Sequence, residues 1–310
     1  MNIAVVGSGA IGGLFGSILG MNGQDVTLVD VWSDHVRQMQ ESGLIVVGPN
    51  GERKVKVRAT RRIEDAGTPD LIIIAVKAYD TEQAARDCMR IISHDTMVLT
   101  LQNGIGHIEK IGAILGYGRI IAGTTSFGST VLGPGKIKPS NIGEITIGEL
   151  NGAATSRLAD LADTLTKAGI ETHVSDRIDS LLWTKLIVNV GINALTAITR
   201  LKNGELLDYP ETVRLQALAV AEATAVARAR GIGFLVDDPL KRVMDVARST
   251  RDNKSSMLQD IERGTRTEID FINGAIVAEG LKAGVPTPVN EVLTLLIKAA
   301  EKGAGNTGTD

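Results

Sequence analysis

A lysine and two asparagines are spaced four residues apart in the segment WTKLIVNVGINAL, at Lys185, Asn189 and Asn193. On an α-helix a step of four residues turns by only about 40°, so the three side chains share one face. The residues between them are apolar, which leaves a narrow polar stripe on an otherwise apolar helix. A lysine in such a stripe can stabilise negative charge developing on an oxygen and then protonate it. The alternative is a stripe that merely faces solvent.

A second polar group follows in DNKSSMLQDIERGTRTEID and contains Asn253, Ser256 and Glu268. Two spacings in this segment also fit helix capping boxes, from Ser256 to Gln259 and from Thr265 to Glu268. The residues alone therefore favour a helix-capping role for Glu268 over a catalytic one.

A glycine-rich segment lies at the N-terminus, where GSGAIG matches the pattern G-x-G-x-x-G. An apolar β-run from Asn2 to Val6 precedes it, a helical pattern from about Ile11 to Asn22 follows it, and a second strand covers Asp25 to Asp30. In this context the glycines permit a tight turn, close approach of a pyrophosphate and close helix–strand packing, at the N-terminus of a helix that attracts phosphate. The alternative is a glycine turn without a ligand. The residues predicted to bind a dinucleotide are Gly7, Ser8, Gly9, Ala10, Ile11 and Gly12.

Asp30 closes the second strand, 18 residues after Gly12. An acidic residue here usually accepts hydrogen bonds from the adenosine ribose and repels a 2′-phosphate, so Asp30 favours NAD(H) over NADP(H). The alternative is an aspartate that caps the following helix.

Polar side chains also follow two buried strands. Lys77 follows the strand DLIIIAV, and Asn103 follows the strand TMVLTL. Because ligands of open α/β sheets bind beyond the carboxyl ends of the strands, we expect both residues on the cofactor edge. The alternative for each is an ordinary loop start.

The first half of the chain alternates strands and helices, which predicts a Rossmann-type, doubly wound parallel sheet in residues 1–177. We expect a helix from Ser33 to Ser42 with Ser33 as its N-cap, and a hairpin of LIVV and KVKVRA around Pro49–Gly51. Further strands are predicted at Asp70–Val76, Thr96–Leu101, Ile120–Thr124 and around Lys136–Leu150.

Long helical patterns replace this alternation from about Ile178, which predicts an all-helical domain over residues 178–310. The small, polar tail from Gly303 to Asp310 is expected to be disordered. The predicted helices cover Ser180–Thr199, Glu211–Arg230, Asp238–Arg248, Thr267–Ala283 and Asn290–Lys302.

The composition of the 310 residues is that of an ordinary globular protein, with 43% hydrophobic residues and a net charge of −3. This charge does not indicate a nucleic-acid partner. The one cysteine, Cys88, allows no disulfide within the chain, and no run approaches about 18 apolar residues, so we expect a cytoplasmic protein without a membrane span. No metal is expected, because metal-ligand spacing is absent from the four histidines, His35, His94, His107 and His173.

At this point the chain resembles the ketopantoate reductase family (2-dehydropantoate 2-reductase), almost from end to end. The resemblance rests on GSGAIGG, VKAYDT around Lys77, LQNG around Asn103, WTKLIVNVGINALTAI, NKSSMLQDIERGTRTEIDFING and GVPTPVNE. It implies that Lys185 is the catalytic proton donor and that Glu268 is an active-site glutamate. It also implies a cofactor-side role for Lys77 and a backbone contact to the cofactor at Gly128. The substrate-binding residues that it implies are Asn103, Asn189, Asn193, Asn203, Asn253 and Ser256, with Asn103 also beside the nicotinamide ribose.

The resemblance implies NAD(P)H-dependent reduction of 2-dehydropantoate to pantoate, a step of pantothenate biosynthesis. Asp30 departs from the family, which mostly uses NADP(H) and often has an arginine near the end of this strand. The alternatives are a related dehydrogenase that acts on another 2-keto acid with NAD(H), and a non-catalytic dinucleotide sensor. A homodimer is left open.

Overall fold

The computed structural model describes residues 1–305. The chain forms two compact units. The first contains Met1–Gln102 and His107–Ile178, and the second contains Asn103–Gly106 and the chain from Asp179 onward. The expected division into domains at residues 177 and 178 remains a prediction. It differs from the observed units in one instructive place, because residues 103–106 lie with the helical unit.

The first unit is built around a mixed sheet of eight strands. Its strands are β1 (Asn2–Val6), β2 (Asp25–Val29), β5 (Arg58–Thr60), β6 (Leu71–Ile74), β7 (Met97–Thr100), β8 (Ile120–Thr125), β11 (Ile145–Glu149) and β12 (Thr172–Val174). They lie in the order β5-β2-β1-β6-β7-β8-β11-β12. The pairs from β5 through β8 are all parallel, β11 is antiparallel to β8, and β12 is parallel to β11. The first six strands in this order follow the 3-2-1-4-5-6 order of dinucleotide-binding sheets, which confirms the Rossmann-type prediction.

A smaller sheet in the same unit contains β3 (Leu44–Gly48), β4 (Gly51–Val55), β9 (Gly128–Gly133) and β10 (Lys136–Asn141). Its strand order is β4-β3-β10-β9. The predicted hairpin is present as β3 and β4. The hairpin ends at Val55, however. Arg58 and Ala59, which were expected to belong to it, lie instead in β5 and pair with β2 of the main sheet. A three-residue strand has too short a pattern to indicate which sheet it joins.

Five helices cover the two sheets: α1 (Ala10–Met21), α2 (Ser33–Ser42), α3 (Thr81–Cys88), α4 (His107–Leu115) and α5 (Ser156–Lys167). Helix α1 packs on β2 of the main sheet and on β9 and β10 of the small sheet. Phe15 of α1 meets Phe127 edge to face, with ring centroids 5.1 Å apart. Gly16 keeps the helix close to the sheet, because a Cβ there would lie 2.3 Å from Leu28. The core of this unit therefore holds α1, and with it the preceding glycine turn, in a fixed place.

The second unit contains helices and loops but no strand among its described residues, as predicted, and its first helix begins at Ile178, the last residue of the first unit. Its helices are α6 (Ile178–Thr199), α7 (Pro210–Ala229), α8 (Pro239–Ser249), α9 (Ser256–Glu262), α10 (Asn273–Ala283) and α11 (Pro288–Gly305). The sequence did not predict α9. Helix α11 extends into the segment expected to be disordered, and residues 306–310 lie outside the described residues.

Helix α10 begins at Asn273, so the predicted start at Thr267 was wrong. The backbone N–H and the hydroxyl of Thr267 both donate to the Glu301 carboxylate, at 2.7 and 2.6 Å. A 3₁₀ turn then covers Ile269–Phe271, and Ile272 leaves the helical region at φ −112° and ψ −95°. The non-helical backbone of Ile272 therefore separates the 3₁₀ turn from α10, and a single helix from Thr267 does not form.

Helix α6 is long and apolar enough to cross a membrane by length and mean hydropathy, although Lys185, Asn189 and Asn193 interrupt its apolar residues, and the expected absence of a membrane span remains a prediction. Of its most apolar window, 67% is buried inside the protein. Helices in the cores of soluble proteins pass the same test.

Candidate active site

Helix α6 carries the predicted polar stripe. Lys185 and Asn189 are half-buried, and Asn193 is 5% exposed. The intervening Leu186 and Val190 belong to the core of the helical unit. The stripe is therefore not an open solvent face. Polar groups in such a place lower the stability of the fold unless they have partners. A stripe of polar side chains within an apolar core is therefore typical of a functional site.

The ammonium of Lys185 lies in the electrostatic field of the Glu268 carboxylate. Burial lowers the pKa of Lys185 to about 8, and the negative charge of Glu268 opposes that shift. An ordinary lysine, with a pKa near 10.4, releases its proton reluctantly. Lys185 is therefore protonated at neutral pH but better suited to proton transfer than a surface lysine.

Glu268 is 7% exposed and lies just before the 3₁₀ turn Ile269–Phe271. Its side chain makes no capping hydrogen bond there. The Thr265 hydroxyl, which would complete the expected capping box, instead donates to the Asp260 carbonyl at 3.1 Å. The capping interpretation of Glu268 was therefore wrong, and the carboxylate acts on Lys185.

The loop that carries Asn103 is joined to the segment that follows Glu268. The Ile105 N–H donates to the Phe271 carbonyl at 3.1 Å. Gly104 has a φ of +83°, and a Cβ there would lie 2.2 Å from the same carbonyl oxygen. This approach, possible only for glycine, explains why residues 103–106 lie with the helical unit.

Asn203 and Asn253 lie on two paired loop segments. The Asn203 N–H donates to the Asn253 carbonyl, and the Asn203 side-chain amide donates to the Thr250 hydroxyl, both at 3.0 Å. The Asn203 Oδ1 is buried and has no hydrogen-bond partner among residues 1–305. A buried acceptor in this state is what a donor group on a substrate would satisfy.

Ser256 is the exposed first residue of α9, and the residue before it caps the helix. The Ser255 hydroxyl accepts from the Leu258 N–H at 3.1 Å, so the capping box predicted at Ser256 was wrong by one position. Ser255 also bonds to the Thr196 hydroxyl of α6 at 2.7 Å. The sequence missed Ser255 and Thr196, because a pair of adjacent serines does not indicate which of them caps. Their contact holds α9 against the helix that carries Lys185.

Asn273 is a further positioning residue that the sequence missed. It is fully buried at the start of α10, and its side-chain amide donates to the Val190 carbonyl of α6 at 3.3 Å and to the Asn290 Oδ1 at 3.0 Å. In the sequence, Asn273 is marked only by its position, as a polar residue in the mostly apolar segment that follows Glu268.

The glycine turn at the end of β1 has the geometry expected of a phosphate site. Gly7 has a φ of +90°, and a Cβ on it would lie 2.6 Å from the Val76 nitrogen. A Cβ on Gly12 would lie 1.9 Å from the Gly7 carbonyl oxygen, so this glycine is needed where α1 meets the turn. A Cβ on Gly9, by contrast, would face open space. With the N–H groups of Ala10 and Ile11 at the helix N-terminus, this open side fits a pyrophosphate.

Asp30 is hydrogen-bonded to this turn. Its Oδ2 accepts from the Ser8 N–H at 2.7 Å and from the Ser8 hydroxyl at 3.0 Å, and its Oδ1 accepts from the Trp32 N–H at 3.0 Å. The N-cap of α2 is Trp32, without a side-chain capping bond, so neither Asp30 nor Ser33 caps this helix. A carboxylate has about four acceptor positions, so Asp30 can still accept from a ribose hydroxyl.

Two other predicted cofactor residues lie elsewhere in the first unit. Lys77 is half-buried after β6, and its carbonyl accepts from the Asp80 N–H at 2.9 Å. Gly128 is the first residue of β9 in the small sheet, where a Cβ would lie 2.5 Å from the Ser140 hydroxyl.

The structure also contains a buried thiol and one cluster of possible metal ligands, and neither is as well suited to catalysis as the pair of Lys185 and Glu268. Burial raises the pKa of Cys88 to about 12, so this thiol is not a nucleophile at neutral pH. Among residues 1–305, one group of three metal-ligating side chains has its ligand atoms within 4.8 Å of one another: Glu144, Glu171 and His173. All three are exposed, and His173 pairs with both glutamates at 3.1 and 3.4 Å.

A dinucleotide-binding sheet together with a half-buried lysine beside a buried glutamate in a helical unit defines a nicotinamide-dependent oxidoreductase. The comparisons with known proteins identify its family. Residues 3–152 match the family model "Ketopantoate reductase PanE/ApbA", and residues 177–301 match the model of its C-terminal part. The chain belongs to the ketopantoate reductase family.

Similar proteins cover almost the whole chain. A 2-dehydropantoate 2-reductase of Pyrococcus horikoshii is 38% identical over 305 residues, which are 98% of this chain and 99% of the relative. One of Halobacterium salinarum is 35% identical over 306 residues, or 97% and 99% of the two chains. A D-mandelate dehydrogenase solved with NADH and anilino(oxo)acetate superposes with a TM-score of 0.91 at 34% identity, over 98% of this chain and 99% of that one. A ketopantoate reductase of Ralstonia eutropha gives a TM-score of 0.90 at 32% identity, with the same coverage.

Proposed function

We propose that this protein reduces 2-dehydropantoate to pantoate, a step of pantothenate biosynthesis, with Lys185 as the proton donor. The observation that carries the proposal is the environment of the half-buried Lys185. Burial lowers its pKa, and the carboxylate of Glu268 limits that decrease. When bound, the reduced nicotinamide supplies a hydride to the keto carbon. The Lys185 ammonium stabilises the negative charge on the keto oxygen and then gives up a proton to it, which yields the hydroxyl.

The neutral polar residues of the helical unit hold the substrate in this proposal. Amide and hydroxyl groups can bind a carboxylate and a hydroxyl without adding a second positive charge that would further lower the pKa of Lys185. The unpartnered Oδ1 of Asn203 supports this role. The substrate-binding residues that we propose are Asn103, Asn189, Asn193, Asn203, Asn253 and Ser256.

The glycine turn holds the cofactor, with residues 1–177 as the dinucleotide domain and residues 178–310 as the substrate domain. NADP(H) is the cofactor implied by the family resemblance. Asp30 favours NAD(H), because its carboxylate at the end of β2 would repel a 2′-phosphate. The NADH-bound D-mandelate dehydrogenase supports the same preference. Besides the six residues of the turn and Asp30, we assign Lys77, Asn103, Gly128 and Glu268 to the cofactor side.

A panel of 2-keto acids, each assayed with NADH and NADPH, tests the proposal directly. We expect the highest kcat/KM with 2-dehydropantoate. Turnover of another 2-keto acid but not of 2-dehydropantoate would refute the substrate and retain the reaction class.

The second candidate is an NAD(H)-linked 2-hydroxyacid dehydrogenase that acts on a bulkier 2-keto acid. The similarity to a D-mandelate dehydrogenase and the presence of Asp30 favour it. Aromatic 2-keto acids therefore belong in the panel. The pair of Lys185 and Glu268 argues against a non-catalytic sensor, which would bind the cofactor without turnover. A cytoplasmic location, a homodimer and the absence of nucleic-acid or membrane partners remain predictions.

A further inference from the structure

Ser8, the residue between the first two glycines of the turn, is hydrogen-bonded on both of its peptide groups. Its N–H donates to Asp30 on one side. On the other side its carbonyl oxygen lies 2.9 Å from the Nε2 of His35. His35 lies in the first turn of α2 and is fully buried, and no part of the reaction described above uses it.

The partners of His35 determine which ring nitrogen carries the proton. The Gly135 N–H lies 3.0 Å from Nδ1 and can only donate, so Nδ1 is the acceptor and carries no hydrogen. In a neutral ring the proton is then on Nε2, which donates to the Ser8 carbonyl. Both nitrogens are therefore used, in one defined tautomer.

The surroundings of His35 hold the ring in place. Gly135 lies in the turn between β9 and β10 with a φ of +64°, and a Cβ on it would lie 2.6 Å from the Gln38 side chain of α2. Its carbonyl accepts from the Ile45 N–H of β3 at 2.8 Å, which ties the turn to the small sheet. On the other side the Trp32 ring stacks on the imidazole, with centroids 5.0 Å apart and an interplanar angle of 10°.

The hydrogen bond to Ser8 determines where the next N–H points. In a planar trans peptide the C=O and the following N–H point in opposite directions. With the Ser8 carbonyl turned toward the buried His35, the Gly9 N–H is turned away from it. Gly9 is also the residue of the turn whose Cβ position is open, and α1 begins directly after it. A phosphate would approach from this side.

We propose that His35 is a positioning residue for cofactor binding, which orients the Ser8–Gly9 peptide so that the Gly9 N–H faces the pyrophosphate. The inference rests on the proposed function, because it places a dinucleotide at this turn. The pyrophosphate is common to NADH and NADPH, so His35 contributes equally to the binding of both. Asp30, by contrast, affects the ratio of the affinity for NADH to the affinity for NADPH.

The test compares His35→Phe with His35→Gln. Phenylalanine keeps a ring to stack on Trp32 but removes both hydrogen bonds, whereas glutamine keeps an amide N–H for Ser8 and an amide oxygen for Gly135. The exposed His94, substituted as His94→Phe, is the matched control. Fluorescence titration of each full-length protein gives the Kd of NADH and of NADPH. Steady-state assays at saturating cofactor give kcat and the KM of the keto acid.

For His35→Phe we expect both cofactor Kd values to rise about tenfold, the order expected when a buried hydrogen-bonded group loses its partner. The ratio of the two Kd values, the kcat at saturating cofactor and the KM of the keto acid should stay within twofold of the wild type. His35→Gln should recover most of the affinity, and His94→Phe should not change it.

Unchanged Kd values in a folded His35→Phe protein would overturn the inference, as would a loss confined to one cofactor or a loss that glutamine does not recover. If His35→Phe does not fold, NMR of the wild type with ¹⁵N-labelled histidine decides. A hydrogen on Nε2 and none on Nδ1 supports the inference, and a hydrogen on Nδ1 overturns it. A wild type that binds neither dinucleotide would refute the proposed function as well.

Discussion

The glycine turn and the lysine site are built in opposite ways. The turn presents backbone N–H groups at the start of α1, from residues that are consecutive in the chain, and Gly9 leaves room for a ligand because it has no side chain. The lysine site pairs Lys185 of α6 with Glu268, 83 residues further along the chain, and the packing of these distant segments leaves Lys185 half-buried and Glu268 7% exposed. A local site made of backbone can be recognised from a short motif, whereas a site made of distant side chains depends on the packing of helices.

If the lysine site performs the proton transfer and the glycine turn binds the cofactor, Lys185→Ala should have the largest effect on the reaction. Loss of the proton donor should lower kcat by about 10²- to 10⁴-fold, the usual contribution of general acid catalysis. The turn is a separate structure, so the Kd of the cofactor should stay within about threefold. Stopped-flow assays and fluorescence titration measure the two quantities. The exposed Lys241, as Lys241→Ala, is the control. A kcat close to that of the wild type would remove Lys185 from the mechanism.

Glu268→Gln should have the next largest effect and a characteristic pH dependence. In the wild type, burial lowers the pKa of Lys185 and the Glu268 carboxylate raises it, to a value of about 8. Glutamine has the same shape but no charge, so the pKa of Lys185 should fall below this value. The fraction of protonated lysine at neutral pH then decreases. We expect about a tenfold loss of kcat at pH 7.5, with partial recovery at lower pH, in a pH–rate profile. A uniform loss at every pH would instead indicate a role in binding alone.

The wild-type reduction should itself depend on pH. Lys185 is the acid, with a pKa of about 8, so kcat should be constant below this value and fall by about tenfold per pH unit above it. The reverse oxidation, which needs the neutral amine, should rise over the same range. Flat profiles in both directions would show that another group moves the proton.

Asp30→Asn probes the other region and should change selectivity rather than catalysis. Asparagine keeps a side-chain oxygen for the Ser8 N–H, so the turn should remain formed. Removal of the charge should weaken NADH and relieve the repulsion of a 2′-phosphate. We expect the ratio of kcat/KM for NADPH to that for NADH to rise about tenfold, roughly 1.4 kcal/mol. An unchanged ratio would show that Asp30 holds the turn without selecting the cofactor.

The smallest effect concerns stability. Burial of the Lys185 charge lowers its pKa, so the unfolded chain binds more protons than the folded one between pH 8 and the ordinary lysine pKa of 10.5. The stability of the wild type should therefore rise with pH across this window. Lys185→Met removes the charge and keeps the volume, so it should raise Tm by a few degrees at neutral pH. Calorimetry would contradict this expectation if the variant melts below the wild type.

Parts of both regions could be predicted from the sequence. The buried strands, the glycine turn and the helix face of Lys185 follow from local periodicity and from the special conformations of glycine. Glu268 was harder, because its spacing from Thr265 fits a capping box that the structure does not form. The predicted start of α10 was also wrong, because the backbone of Ile272 leaves the helical region in the folded chain, which the pattern of apolar residues does not indicate.

The sequence by itself determined that a Rossmann-type sheet presents a dinucleotide turn and that a polar stripe lies along α6. These features depend on residues a few positions apart. Only the tertiary structure decided that Glu268 acts on Lys185, that Asp30 and His35 hold the two peptide groups of Ser8, and that Asn103 lies with the helical unit. The physical reason is that burial, electrostatic fields and hydrogen-bond partners depend on which distant segments pack together.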